Sequence, residues 1–172
     1  IVAIDVKDGV IPINNFAGNI ITGKNPSSVV NDGNIIVLCR GIYDEYDASN
    51  NEESSFSRIG AGNLNVYANT ILSGIYNADN LCVNESDTRF YFTSSDGVYQ
   101  INTSGELNPS QVVPMVSDVL LTNVEQYQPT DTTTAYTNML YLNDALNKSN
   151  TLYKYNLSLS LFVDTIILNS RI

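Results

Sequence analysis

A chain of 172 residues with 43% hydrophobic content is one domain, or part of one, with enough apolar residues to build a core. Only 15% of residues are charged, the net charge is −10 and the pI is near 4.1, which disfavours nucleic acid and anionic lipid as partners. There is no histidine, so neither a Ser-His-Asp nor a Cys-His nucleophile system can form within this chain, and the commonest zinc ligand is missing.

Ile1–Val6 reads as a strand of β-branched residues. Asp8-Gly9 turns the chain and Val10–Ile13 returns it, at a sheet edge because Pro12 cannot donate to a ladder. Between Gly23 and Gly41, two apolar runs, Ser28–Val30 and Ile35–Cys39, flank Asp32-Gly33. That dipeptide accepts the positive φ of a tight primed turn, so the stretch is a hairpin. The run Ile35–Cys39 is continuously apolar, which predicts a strand covered on both faces. A polar, acidic loop from Gly41 to Glu53 follows, then strands at Ser55–Ile59 and Leu64–Ala68. Asn80–Asn84, Arg89–Thr93, Val98–Ile101 and Gln111–Val113 come next, with Asp96-Gly97 as the tight turn. The final set is Leu120–Val124, Ala135–Leu142, Thr151–Tyr155 and Leu161–Leu168, with Gln126–Thr134 read as a loop. No segment carries a 3.6-residue period with caps, so helix should be almost absent. Cys39 and Cys82 sit in apolar runs and read as small buried hydrophobes, with a disulfide between them left open.

These strands repeat. Ile1–Asp5, Ser55–Ile59, Val98–Asn102 and Leu152–Asn156 each place large apolar side chains two residues apart and then enter a polar turn. The 23–41 hairpin recurs as Leu81–Val83 with Phe90–Phe92, and as Leu121–Val124 with Met139–Leu142. The spacing is roughly 40–50 residues, the period of a four-stranded propeller blade. The expected fold is therefore all-β: a partial β-propeller with about 3.5 four-stranded blades of a larger ring of about seven. Residues 1–15 would end one blade, and 16–70, 71–116 and 117–172 would form three more. By this count the ring does not close within the chain, which is expected to be the C-terminal half or a middle slice of a longer propeller. A β-sandwich also uses short strands at regular intervals. Four strands per unit at this period favour the propeller.

The segment Gly23-Lys24-Asn25-Pro26-Ser27-Ser28-Val29-Val30, followed by Asn34-Ile35-Ile36-Val37-Leu38-Cys39-Arg40-Gly41, resembles a blade signature of the YncE-like, surface-layer-type β-propeller proteins of Bacteroidota. Asp96-Gly97-Val98-Tyr99-Gln100-Ile101 and Thr151-Leu152-Tyr153-Lys154-Tyr155 look like the third strands of such blades. The sequence departs from the pattern at Ile36, where Trp is frequent in that family. The resemblance implies a surface lipoprotein on the extracellular face of the outer membrane, with any lipid anchor upstream of this chain. It also implies an accessory role beside a TonB-dependent, SusCD-type uptake system or the type 9 secretion machinery, and a small ligand of the cobalamin or glycan class. Surface proteins of that phylum carry O-glycans on short Asp-Ser/Thr motifs. Asp131-Thr132-Thr133 and Asp164-Thr165-Ile166 fit, making Thr132 and Thr165 the candidate acceptors.

In a propeller, loops such as Arg40–Asp47 crowd one face around the central channel. Arg40, Tyr43, Asp44, Tyr46 and Asp47 are the ligand candidates there, joined by Tyr127 and Asp144 from the equivalent loops. A tyrosine offers a flat apolar surface with a hydroxyl at its rim, suited to sugars and ring systems. The plain alternative is a solvated acidic loop. Asp44, Asp47, Glu52 and Glu53 do not match a calcium loop, and there is no Gly-rich phosphate loop or Cys-x-x-Cys pair, so no metal and no cofactor are expected. The expected function is a non-enzymatic binding or scaffold role. A lyase or glycosidase with catalytic groups in blades outside this chain is the alternative, although the sequence offers no carboxylate pair of defined separation. A purely structural adhesin or surface-layer module is a third.

Overall fold

A computed structural model describes residues 2–4, 16–31, 33–83, 88–104, 108–114, 121–127, 139–144 and 151–168. Among these the chain is all-β, with a single short 3-10 turn at Ala48–Asn50 and no α-helix. A two-stranded sheet pairs β1 (Val2–Ile4) with β2 (Phe16–Asn19). Three four-stranded antiparallel meanders follow. The first holds β3 (Pro26–Asn31), β4 (Ile35–Cys39), β5 (Ser55–Ile59) and β6 (Val66–Ile71). The second holds β7 (Asp79–Val83), β8 (Arg89–Ser94), β9 (Gly97–Asn102) and β10 (Ser110–Pro114). The third holds β11 (Leu121–Tyr127), β12 (Met139–Asp144), β13 (Thr151–Asn156) and β14 (Leu161–Ile167). The first strands of successive sheets lie against one another, β3 on β7 and β7 on β11.

The packing follows from period-two alternation. On β4, Ile36 and Leu38 point one way and meet Phe56 of β5 with Phe90 and Phe92 of β8. Val37 and Cys39 point the other way and meet Ile59 and Ile20. Residues 36–39 are all buried, so the continuously apolar run is covered on both faces as its composition predicts. On β8, Tyr91 leaves on the face opposite Phe90 and Phe92 and joins Leu140, Leu142 and Tyr155 of the third sheet. The second sheet is thus sandwiched between the other two. Tyrosines pack between the sheets as well: Tyr91 and Tyr155 are core, with Tyr153 packed beside them and Tyr99 against the first cluster. No disulfide joins Cys39 and Cys82.

Several boundaries differ from the sequence reading. Val2–Ile4 pairs with Phe16–Asn19, a stretch whose Gly18 and Asn19 hide its strand character, so the start of the 16–70 segment belongs to the sheet of β1. The turn between β8 and β9 is centred on Ser95-Asp96, because Gly97 already pairs with Ser94. Tyr127 lies in β11 rather than a loop, opposite Met139. Glu125 and Gln126 before it are both polar, yet the ladder with β12 extends through them to Tyr127↔Met139. Val10–Ile13, Asp32 and Thr132 lie outside the described residues. The hairpin around Asp32 is present nevertheless: β3 and β4 pair from Pro26↔Cys39 to Asn31↔Ile35, Gly33 has φ +94°, and its N–H donates to Asn31 Oδ1 at 2.9 Å.

Candidate functional site

The loop joining β4 to β5, residues 40–54, folds back on the end of the first sheet. Ile42 and Glu52 exchange two backbone hydrogen bonds of 2.9 Å, closing the loop into a small ladder. Gly41 sits below this ladder with φ +73°. A Cβ there would collide with the backbone oxygens of Glu52 and Glu53, so only glycine fits. At the loop tip, Asp44 accepts from the backbone N–H groups of Tyr46 (2.9 Å) and Asp47 (3.2 Å), and Asp47 caps the 3-10 turn by accepting from Ser49 N at 3.0 Å. These bonds hold both carboxyls below the usual carboxylate range: backbone donation from Tyr46 is the main cause at Asp44, and the Ser49 hydroxyl at Asp47. Both acids therefore serve the loop's own backbone. Tyr46 projects into solvent, 91% exposed, and its ionisation is pushed up by a hydrogen bond with Glu45.

The inner part of the loop borders a cleft of about 650 Å³. Its walls are residues 25–27, residues 40–43 and Asn77, so it lies where the first sheet meets the chain entering β7. The walls are tied together. Arg40 N donates to Asn25 O at 2.9 Å, Asn77 N donates to Arg40 O at 3.2 Å, and Asn25 Nδ2 donates to Gly41 O at 2.7 Å. Asn25 and Asn77 hold left-handed backbone, φ +52° and +55°, a conformation asparagine tolerates better than most residues. The Arg40 guanidinium pairs with Asp79, which also accepts from Ser28 Oγ at 3.1 Å. Lys24 pairs with Glu52. Tyr43 is half exposed, and its ring rests on Tyr76 with centroids 5.9 Å apart and planes inclined at 52°.

Of the seven ligand candidates, Arg40 and Tyr43 line this cleft, while Asp44, Tyr46 and Asp47 belong to the loop tip beyond it. Tyr127 and Asp144 sit on the third sheet, at opposite ends of it: Tyr127 pairs with Met139, and Asp144 pairs with Leu121. Six residues of extended strand put those two backbone positions roughly 20 Å apart, so the two do not share a site. Asp144 lies at the end of its sheet equivalent to Arg40, and Tyr127 at the other. Thr165 is exposed on β14, next to Asp164, whose carboxylate accepts from Thr165 N at 2.8 Å and pairs with Lys154 at 3.1 Å. Sequence reasoning missed Asn25 and Asn77 as cleft residues. The visible signal was Asn25-Pro26, a dipeptide that favours turn initiation. Among the described residues no cluster of three potential metal ligands is found.

No family model matches this chain, and no curated protein matches it. Solved structures similar to it include a crystal structure of an ACO/RPE65 chimera, at 11% sequence identity and a TM-score of 0.47. The similarity covers 90% of this chain and 38% of that one, so the chain spans well under half of its neighbour. A likeness of that size carries no argument about function.

Proposed function

We propose that the three four-stranded sheets are blades of a propeller and that the protein is a non-enzymatic binding module using the cleft beside Arg40 and Tyr43. The blade reading is supported by connectivity as well as by packing. Residues 72–78 lead from the last strand of the first sheet to the first strand of the second, and 115–120 do the same for the next pair. Residues 20–25 lead from β2 to β3 in the same manner, which makes β1 and β2 the counterparts of β5 and β6. Radial sheets with their first strands innermost crowd one set of loops around an axis, and such a face commonly holds ligands. The low charge and abundant Asn, Ser and Thr support a cell-surface setting.

The observation that carries the binding reading is the cleft itself. Its volume falls within the range of small-molecule sites, its walls are cross-braced before any ligand arrives, and a half-exposed aromatic ring forms one side. A thermal-shift screen with mono- and disaccharides, small carboxylates, inorganic phosphate and cobalamin tests it. At least one class should raise the melting temperature of the protein and fail to do so for Tyr43→Ala. A screen in which no class stabilises the protein, or in which Tyr43→Ala responds like the parent, would remove the proposal.

A further inference from the structure

Resting on that binding reading, we infer that the cleft takes a neutral carbohydrate rather than an anion. The first argument is charge. Both cations at the rim are already compensated, Arg40 by Asp79 and Lys24 by Glu52. A phosphate or carboxylate ligand needs an uncompensated cation, or must displace one of those partners. The chain's net charge of −10 adds a further penalty for any anion.

The second argument is the kind of polar group on offer. Asn25 spends its side-chain N–H on Gly41 O and keeps its own carbonyl oxygen for a ligand. Asn77 adds a second amide, and Arg40 retains guanidinium N–H groups beyond the one given to Asp79. The amides pair a donor with an acceptor in one plane and the guanidinium adds donors, a set matched to adjacent hydroxyls on a sugar ring. The third is the Tyr43 ring, fixed against Tyr76 with its other surface in solvent. Such a ring covers the C–H face of a pyranose while its hydroxyl stays wet. The braced walls reduce the ordering cost that weakens binding to an open surface.

Titration calorimetry decides the matter with two groups of probes. The neutral group is cellobiose, mannobiose and N,N′-diacetylchitobiose; the anionic group is sialyllactose, citrate and inorganic phosphate. A neutral disaccharide should bind, and Tyr43→Ala should weaken it at least tenfold. Tyr43→Phe, which keeps the ring and its contact with Tyr76, should stay within about threefold of the parent. Tyr67→Ala, on the exposed face of β6, should leave binding unchanged. If an anion binds best and is lost in Tyr43→Ala, the carbohydrate assignment falls while the cleft stands as a binding site. Binding of no probe overturns both. Saccharide binding that is insensitive to Tyr43→Ala overturns the assignment to this cleft.

Discussion

The two junctions between four-stranded sheets bury similar strands with different chemistry. Between the first and second sheets the contact is phenylalanine on phenylalanine: Phe56 lies 5.8 Å from Phe90 and 5.5 Å from Phe92, the latter edge-on at 84°. Polar bonds lie at its two ends: Ser27 Oγ donates to Ala78 O and Arg40 pairs with Asp79 at one, and the Arg58 guanidinium donates to Thr103 O at the other. Between the second and third sheets the contact uses Tyr91, Tyr153 and Tyr155, and the Tyr155 hydroxyl donates to Val112 O at 2.8 Å. Their ends differ as well. The strands β8 and β9 are joined by the two-residue turn Ser95-Asp96, which leaves no room for a cleft, whereas β4 and β5 are joined by residues 40–54. The sheet geometry repeats while the connecting loop varies, and the candidate site lies where the loop is long.

If the first junction is apolar at its centre and the second partly polar there, side-chain truncation should separate them. Phe56→Ala should cost about 3–5 kcal/mol, because a fully buried ring is removed from between two sheets that cannot collapse onto the space. Tyr155→Phe removes one hydroxyl and should cost only about 0.5–1.5 kcal/mol. Urea denaturation measures both. A Phe56→Ala cost below about 2 kcal/mol would mean that the first and second sheets do not share this core.

Gly41→Ala sharpens the loop side of the comparison. Left-handed backbone at a non-glycine residue costs about 1–3 kcal/mol, and the added methyl also meets two carbonyl oxygens. The Ile42–Glu52 ladder should shift, so ligand binding should fall further than stability does. An unchanged melting temperature together with unchanged binding would show that the loop does not need this brace.

Much of the strand layout was legible because burial on two faces leaves an apolar run, as in Ile35–Cys39, and burial on one face leaves alternation, as in Leu152-Tyr153-Lys154-Tyr155. The hairpin from β3 to β4 was legible through Gly33. Phe16–Asn19 was not, because a short strand holding glycine has neither signal. Tyr127 was misplaced because the consecutive polar residues Glu125 and Gln126 before it read as the end of the strand until their pairing with Tyr141 and Leu140 is known. At the site, Tyr43 and Arg40 stood out by residue type. Asn25 and Asn77 did not, since they are more than fifty residues apart and meet only when β7 is laid against β3. The roles of Asp44 and Asp47 were hidden for a related reason: capping of backbone N–H groups leaves no trace in composition.

The smallest effect expected is in the pH dependence of stability, and it too differs between the two turns. At the β8–β9 turn, the Tyr99 hydroxyl donates to Asp96 Oδ2 at 2.7 Å. Burial, reinforced by the Asp96 carboxylate, pushes the phenol up to about 12 from a usual value near 10. The folded protein therefore favours the neutral phenol. Its contribution is fully present below pH ~10, where the unfolded chain keeps the proton, and is lost as pH rises toward 12. In the 40–54 loop the shift has the opposite sign. Asp44 and Asp47 are held below their usual value, so their contribution is present above pH ~4 and fades as pH falls through the depressed range. Asp47 is exposed and Asp44 partly so, and the acid limb should therefore be shallow. Tyr91, raised by its burial, adds to the basic limb. Tyr99→Phe should consequently remove part of the loss above pH ~10 and leave the acid limb alone. Denaturation midpoints measured on the parent and on Tyr99→Phe across the two limbs check this. A Tyr99→Phe curve that matches the parent on the basic side would show that the Asp96 contact does not hold the phenol neutral.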